Sequence, residues 1–191
     1  MDIIGFVKTA PVVDLAVVVG FGVFLFLGVL QGAIRRLLGI ASMSVAFVIA
    51  ANLRDPAGAF LADNWRQWDW GYNHLLAFLI IFFVITVVST ILIQSFYKRL
   101  EVSAAHPIVD DIAGGLLGVV QGFVLLLFLV IILGSYPLPP ARSGDLTPLR
   151  DAQDLVTRQS HIGAWMEDSV APPVMHLLSS LMPSDLVELF P

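Results

Sequence analysis

Residues able to do chemistry are few and scattered. The four histidines, His74, His106, His161 and His176, stand far apart and form no HExxH pair, so no zinc-protease geometry follows from them. The chain has no cysteine, which removes disulfides, thiolate metal sites and cysteine nucleophiles and leaves the redox compartment open. There is no P-loop, and no glycine-rich turn opens onto a basic helix. Ser42, Ser44 and Ser89 have no base at a spacing that would activate them. The chain therefore reads as a non-enzyme without cofactor or metal.

The elements that would hold any site are themselves unusual. Of the 191 residues, 58% are apolar and only 13% charged, with a mean hydropathy of +0.88. Soluble domains carry roughly 45–50% apolar and about 25% charged residues, so this chain is not a soluble protein with a large core. Its net charge of −5 argues against a nucleic-acid partner. Four stretches, at about 12–30, 37–53, 75–97 and 110–134, approach the roughly 20 apolar residues that cross a bilayer. None shows the polar stripe of a soluble amphipathic helix. Between Leu125 and Leu133 no polar residue occurs at all, so every face of that segment is apolar. Backbone groups in lipid must be paired within the segment, and the runs are too long and uniform for barrel strands. The fold class is all-α: a polytopic membrane protein of four transmembrane helices, with short amphipathic helices at the C-terminus. Residues 1–136 form the transmembrane domain, and 137–191 a proline-rich linker and helical tail.

The N-terminus is expected to be retained, because its first basic residue is Lys8 and Asp2 precedes it. Arg35 and Arg36 lie between spans one and two, and Lys98 and Arg99 between spans three and four. Basic residues in short loops mark the cytoplasmic side, so both termini are expected outside the cytoplasm. The 54–74 loop carries Trp65, Trp68 and Trp70. Their rings suit the headgroup level, and the loop is expected to lie on the outer interface. In the tail, Ile162, Trp165, Met166, Val170, Val174, Leu177, Leu178 and Leu181 recur at three- and four-residue steps. Pro172 and Pro173 interrupt them, which predicts two short helices lying on the membrane or against the spans. Trp165 is their interfacial aromatic.

Gly114, Gly118 and Gly122 are spaced four apart on span four, and Gly28 and Gly32 close span one in the same way. Such spacing lets helix backbones approach closely in lipid. The stripe serves packing within the chain or self-association into a homo-oligomer. Gln31 and Gln121 are the polar intramembrane candidates. Gln121 needs a partner, such as a serine or threonine of another span, or else lines a polar path. Asp14, Asp110 and Asp111 sit at the starts of spans, where carboxylates meet unpaired N–H groups. No ionisable residue falls inside a predicted hydrophobic core, so coupled ion transport has no residues to run on.

Two segments carry a family likeness. One is Asp14, an apolar run, and Gly28-Val-Leu-Gln-Gly32-Ala-Ile-Arg35-Arg36-Leu-Leu-Gly39. The other is Val109-Asp110-Asp-Ile-Ala-Gly114-Gly-Leu-Leu-Gly118-Val-Val-Gln121-Gly122. Together with Trp165-Met-Glu-Asp-Ser169-Val-Ala-Pro near the C-terminus, they resemble the colicin V production protein family of bacterial inner-membrane proteins. Gln31 and Gln121 stand where relatives often carry arginine. The resemblance implies a multi-pass inner-membrane protein that supports colicin V production or export, and envelope homeostasis more broadly. On that reading the partners are the lipid bilayer, other envelope proteins and further copies of the chain. Two other readings stay open. One is an oligomeric channel or transporter lined by Gln31, Gln121 and the span-three threonines. The other is a membrane-surface sensor acting through the tail.

Overall fold

A computed structural model describes residues 12–65, 68–97, 107–136 and 147–190. Lys98, Arg99 and His106, and the prolines at 137, 139 and 140, lie outside the described residues. Four long helices dominate: α1 (Val12–Gln31), α2 (Ala33–Asn64), α3 (Trp70–Tyr97) and α4 (Pro107–Gly134). All four are long and apolar enough to cross a membrane. The tail adds α5 (Thr147–Gln153), α6 (His161–Trp165), α7 (Ala171–Leu178) and α8 (Ser184–Glu188). No strand occurs among the described residues.

The long helices stand in a row rather than a closed square. α4 packs between α1 and α2, α3 packs on the far side of α2, and α1 has little contact with α2 or α3. The middle of the row is aromatic. Phe47 of α2 stacks on Phe128 of α4 at 4.1 Å between ring centroids, and Phe78 and Phe82 of α3 complete the cluster. Such pairs add about 0.5–1.5 kcal/mol each beyond burial. Ala46, Ala50 and Ala51 on α2 are fully buried, and their size lets the helix axes come close.

α1 is held differently, for only Asp14 and Gly28 of its residues are buried. It runs antiparallel to α4, with Phe21 beside Gly122, Phe24 beside Gly118 and Gly28 beside Gly114. A Cβ on Gly118 would stand 2.2 Å from the Phe24 carbonyl oxygen, and one on Gly114 2.5 Å from that of Gly28. The described chain thus places the glycine stripe against its own backbone. Gly32 alone joins α1 to α2, at φ 77°, a left-handed conformation that favours glycine.

The second span departs from the sequence reading. Expected over about 37–53, it runs as one helix from Ala33 to Asn64, so most of the predicted 54–74 interfacial loop is helical. At 1.5 Å per residue its 32 residues reach about 48 Å, well beyond the roughly 30 Å hydrocarbon core. Neither Arg54 nor Pro56 stops it, because tertiary contacts hold its far end. Arg54 is buried beside Tyr136, and Gly58 lies against His74. The tail departs as well. From His161 to Leu178 the helix continues without a break, through a wide π-helical turn at Met166–Val170. That wider turn accommodates two prolines that offer no N–H to a regular ladder.

The backbone contact between α1 and α4 predicts a steep effect of one methyl group. Gly118→Ala should lower stability by about 1–3 kcal/mol. Gly20→Ala and Gly22→Ala, whose added Cβ would meet nothing within 4 Å, should stay near neutral. Thermal unfolding of the three variants in detergent checks this.

Candidate functional site

Each end of the helix row carries a polar cluster built from residues far apart in sequence. At the Gly32 end, Asp110 of α4 reaches across to α2. Its Oδ1 accepts the Ala33 N–H at 3.0 Å, and its other oxygen occupies the space a Gly32 Cβ would need. Four N–H groups open every helix without intrahelical partners. Asp110 supplies one of those partners to α2 rather than to its own helix, which the sequence reading had as its place. Asp111 is exposed.

One turn further along, Arg36 turns inward. It is 4% exposed, and its Nη1 donates to Gln121 Oε1 at 2.7 Å. Its guanidinium carbon lies 5.9 Å from the Phe24 ring centroid. This corrects two expectations. Arg36 is not a solvated basic residue at the membrane edge like its half-buried neighbour Arg35. The partner of Gln121 is a guanidinium rather than a serine or threonine. Gly39 makes the pairing possible, since a Cβ there would stand 2.9 Å from Gln121 Nε2. Gln31, at the end of α1, is half-buried.

At the opposite end Asp14 performs the capping. Its Oδ1 accepts the Ser160 hydroxyl at 2.6 Å and the Ile162 N–H at 3.3 Å, and its Oδ2 accepts the His161 N–H at 3.2 Å. Ser160 Oγ in turn accepts the Gly163 N–H at 2.8 Å. The start of α6 is therefore capped by its own serine and by a carboxylate from α1. Asp14 was expected to serve the first turn of its own helix; the exposed N–H groups it meets belong to the tail.

The centre of this end is Arg54, 1% exposed. It pairs with Asp185 of α8, lies 3.6 Å from Asp55, and stands 5.5 Å from the centroid of the Tyr136 ring. The Tyr136 hydroxyl donates to Asp55 Oδ1 at 3.0 Å. Burial raises the Tyr136 pKa further above its ordinary value, so the phenol remains a neutral donor. His74 completes the cluster. Its ring lies 3.9 Å from that of Trp70, and its Nδ1–H donates to the Trp70 carbonyl at 3.0 Å. Gln153 Nε2 donates to the carbonyls of Leu133 and Tyr136, and Asn52 Nδ2 to that of Leu181. Met166, Ala171, Met175 and Leu186 are fully buried. The tail thus folds over the ends of the spans and turns these residues onto protein, while Leu177, Leu181 and Leu189 stay exposed. Trp65, Trp70 and Trp165 remain exposed and Trp68 half-buried.

The sequence had a signal for Ser160, a capping residue just ahead of a periodic apolar run. It had none for Arg54, Asp55, Tyr136 and Asp185, which pair across intervals of 81 and 131 residues. Among the described residues no group of three or more His, Asp or Glu side chains is placed to hold a metal. Both clusters bind backbone N–H groups across helix boundaries, and the tail-side cluster also pairs Arg54 with Asp185.

The family model of the colicin V production protein matches residues 13–182. The chain belongs to this family. No curated protein and no solved structure matches it.

Two outcomes follow from the tail contacts. Asp14→Asn replaces one of two acceptor oxygens with a donor, and should loosen the tail by about 1–2 kcal/mol, whereas Asp111→Asn should not. Limited proteolysis within 147–190 reports the difference. Glu167, in the π-helical turn of the tail and beside Gly134, has a raised pKa, caused by burial first and Asp168 second, against Arg158. A raised folded value gives stability that is complete below the ordinary carboxylate range and is lost as pH rises through the raised one. Tail amide protection, measured relative to the intrinsic exchange rate at each pH, should therefore fall toward neutral pH, and Glu167→Gln should flatten that dependence.

Proposed function

We propose that this member of the colicin V production family is a non-enzymatic scaffold. It would support toxin production or export, and envelope homeostasis, from the inner membrane. The observation that carries this reading is what the intramembrane and membrane-edge polar groups do. Asp110 binds the start of α2, Arg36 binds Gln121, and Asp14 binds the start of α6. Each fastens one helix to another, the task of a rigid support. A proton- or ion-coupled path runs on ionisable groups that change partners.

In this reading the tail is the working surface. Met166, Ala171, Met175 and Leu186 hold it against the helix row, while Trp165, Leu177 and Leu181 are exposed. Under the positive-inside rule, Arg35 and, between spans three and four in the sequence, Lys98 and Arg99 favour a cytoplasmic Gly32 end. The tail then faces away from the cytoplasm, where other envelope proteins would meet it.

A host strain lacking its own family member provides the test. The full chain should restore colicin V release. A chain lacking residues 147–190 should insert in the membrane and fail to restore it. A reporter fused after Pro191 should be active only outside the cytoplasm. Ion or solute flux through liposomes holding the purified protein would replace the scaffold with a transporter.

A further inference from the structure

The middle of the tail has two apolar sides, and the protein covers one of them. Met166, Ala171 and Met175 are fully buried in the core shared with the spans. Leu177 is 78% exposed, Leu181 57% and Trp165 53%. Pro173, Leu177 and Leu181 follow one another at four-residue steps and so share a side of the segment. Asp168, Ser169 and His176 are exposed as well, so the same stretch also has a polar side.

The level of this segment along the spans identifies what covers its second apolar side. The 20 residues of α1, at about 1.5 Å each, match the roughly 30 Å hydrocarbon core. Asp14, which caps the start of α6, lies two residues from the start of α1. The tail helix therefore begins about 3 Å inside the edge of that core rather than above it.

Trp165 reaches deeper. Its ring lies 6.5 Å from that of Phe123 on α4. Gly122 stands beside Phe21 of the antiparallel α1, which puts Phe123 roughly 10 Å inside the edge. Helix side chains lean toward their own N-terminus, and for α4 that is the Gly32 end, so the Phe123 ring lies no shallower than its backbone.

Leu181 is tied to the same zone from α2. Its carbonyl accepts the Asn52 side-chain N–H at 2.9 Å, and the same amide donates to the Val48 carbonyl at 2.8 Å. Asn52 lies about 28 Å along α2 from Ala33, still within a core of about 30 Å. It is on an exposed side of α2, as are Ile49 and Leu53. An exposed side of a span at that level faces acyl chains, and Leu181 adjoins it.

We propose that the segment from Trp165 to Leu181 lies in the plane of the membrane and binds its lipid surface. Met166, Ala171 and Met175 rest on the spans. Trp165, Leu177 and Leu181 insert among the acyl chains of the leaflet at the Asp14 end. Asp168, Ser169 and His176 face water. This is the arrangement of an amphipathic interfacial helix, with an indole at the boundary that suits it. Asp14 and Asn52 fix its depth, and lipid holds the side that the protein leaves open.

The full chain has no cysteine, so single substitutions each place one nitroxide label. The labelled protein is studied in vesicles of phosphatidylethanolamine and phosphatidylglycerol. Spin relaxation is measured with oxygen, which concentrates among acyl chains, and with a water-soluble nickel chelate. Val19→Cys, at an exposed position of α1, gives the response of a label in lipid. Labels at Leu177→Cys and Leu181→Cys should follow it and relax more with oxygen than with the chelate. A label at Asp168→Cys should show the reverse order. Stronger chelate relaxation at Leu177→Cys or Leu181→Cys would put that side in water and overturn the proposal. Poor access to both reagents there would put a second copy or another protein on it, and overturn it equally. Oxygen preference at Asp168→Cys would also overturn it, because the segment would then be immersed rather than in-plane. A measurement without labels stands beside these. Lipids brominated on their acyl chains should quench the tryptophan fluorescence of the unmodified chain, and Trp165→Phe should lose the larger share of that quenching. Equal fractional quenching of the two proteins overturns the insertion of Trp165.

Discussion

A helix already surrounded by lipid gains nothing from the hydrophobic effect when it meets another helix. That constraint governs this protein. α1 has two buried residues, and it is held to α4 by backbone contact where Gly114 and Gly118 lie against the carbonyls of Gly28 and Phe24. Dispersion and close approach replace burial as the source of attraction. The remainder of the row uses the same resource in another form, with alanines on α2 and a stack of phenyl rings between α2, α3 and α4.

Polar groups in such a setting are constrained as strongly as the backbone. A helix end in or near lipid has few waters to pair its first N–H groups. Here Asp110 and Asp14 provide those partners across helix boundaries. The exchange has a structural consequence. A carboxylate that caps its own helix stabilises one element, while one that caps another fixes the position of two. The tail is held to the row in this way, by Asp14 at one edge and by the Arg54–Asp185 pair at another. Membership of the colicin V production family therefore comes with a specific architecture: a thin row of spans, roofed at one end by a folded tail.

The length of α2 links the two levels. Its inner part belongs to the membrane and its far part to the roof, with Arg54, Asp55 and Gly58 on the segment that leaves the apolar run. Because that segment remains helical, the tail is fixed directly to α2 through Arg54 and Asp185, with Tyr136 beside them. Tail and spans form one unit on this geometry, although the change in composition after 137 marks them as separate parts of the chain.

The sequence by itself determined the solvent and the helical class. Apolar runs of uniform circumference leave no choice but helices in lipid, and spacings of four put glycines on one face whatever they touch. The order of the motifs was enough to mark the family. What those glycines and carboxylates would meet was decided only by the tertiary structure. Helix periodicity states which residues share a face, never which neighbour covers it. Asp14 finds donors 146 to 148 positions away, and Arg36 finds Gln121 at 85. The persistence of α2 past Pro56 and the course of the tail past Pro172 and Pro173 were likewise hidden. Local signals there favour a break, and the contacts that override them exist only once distant segments have packed.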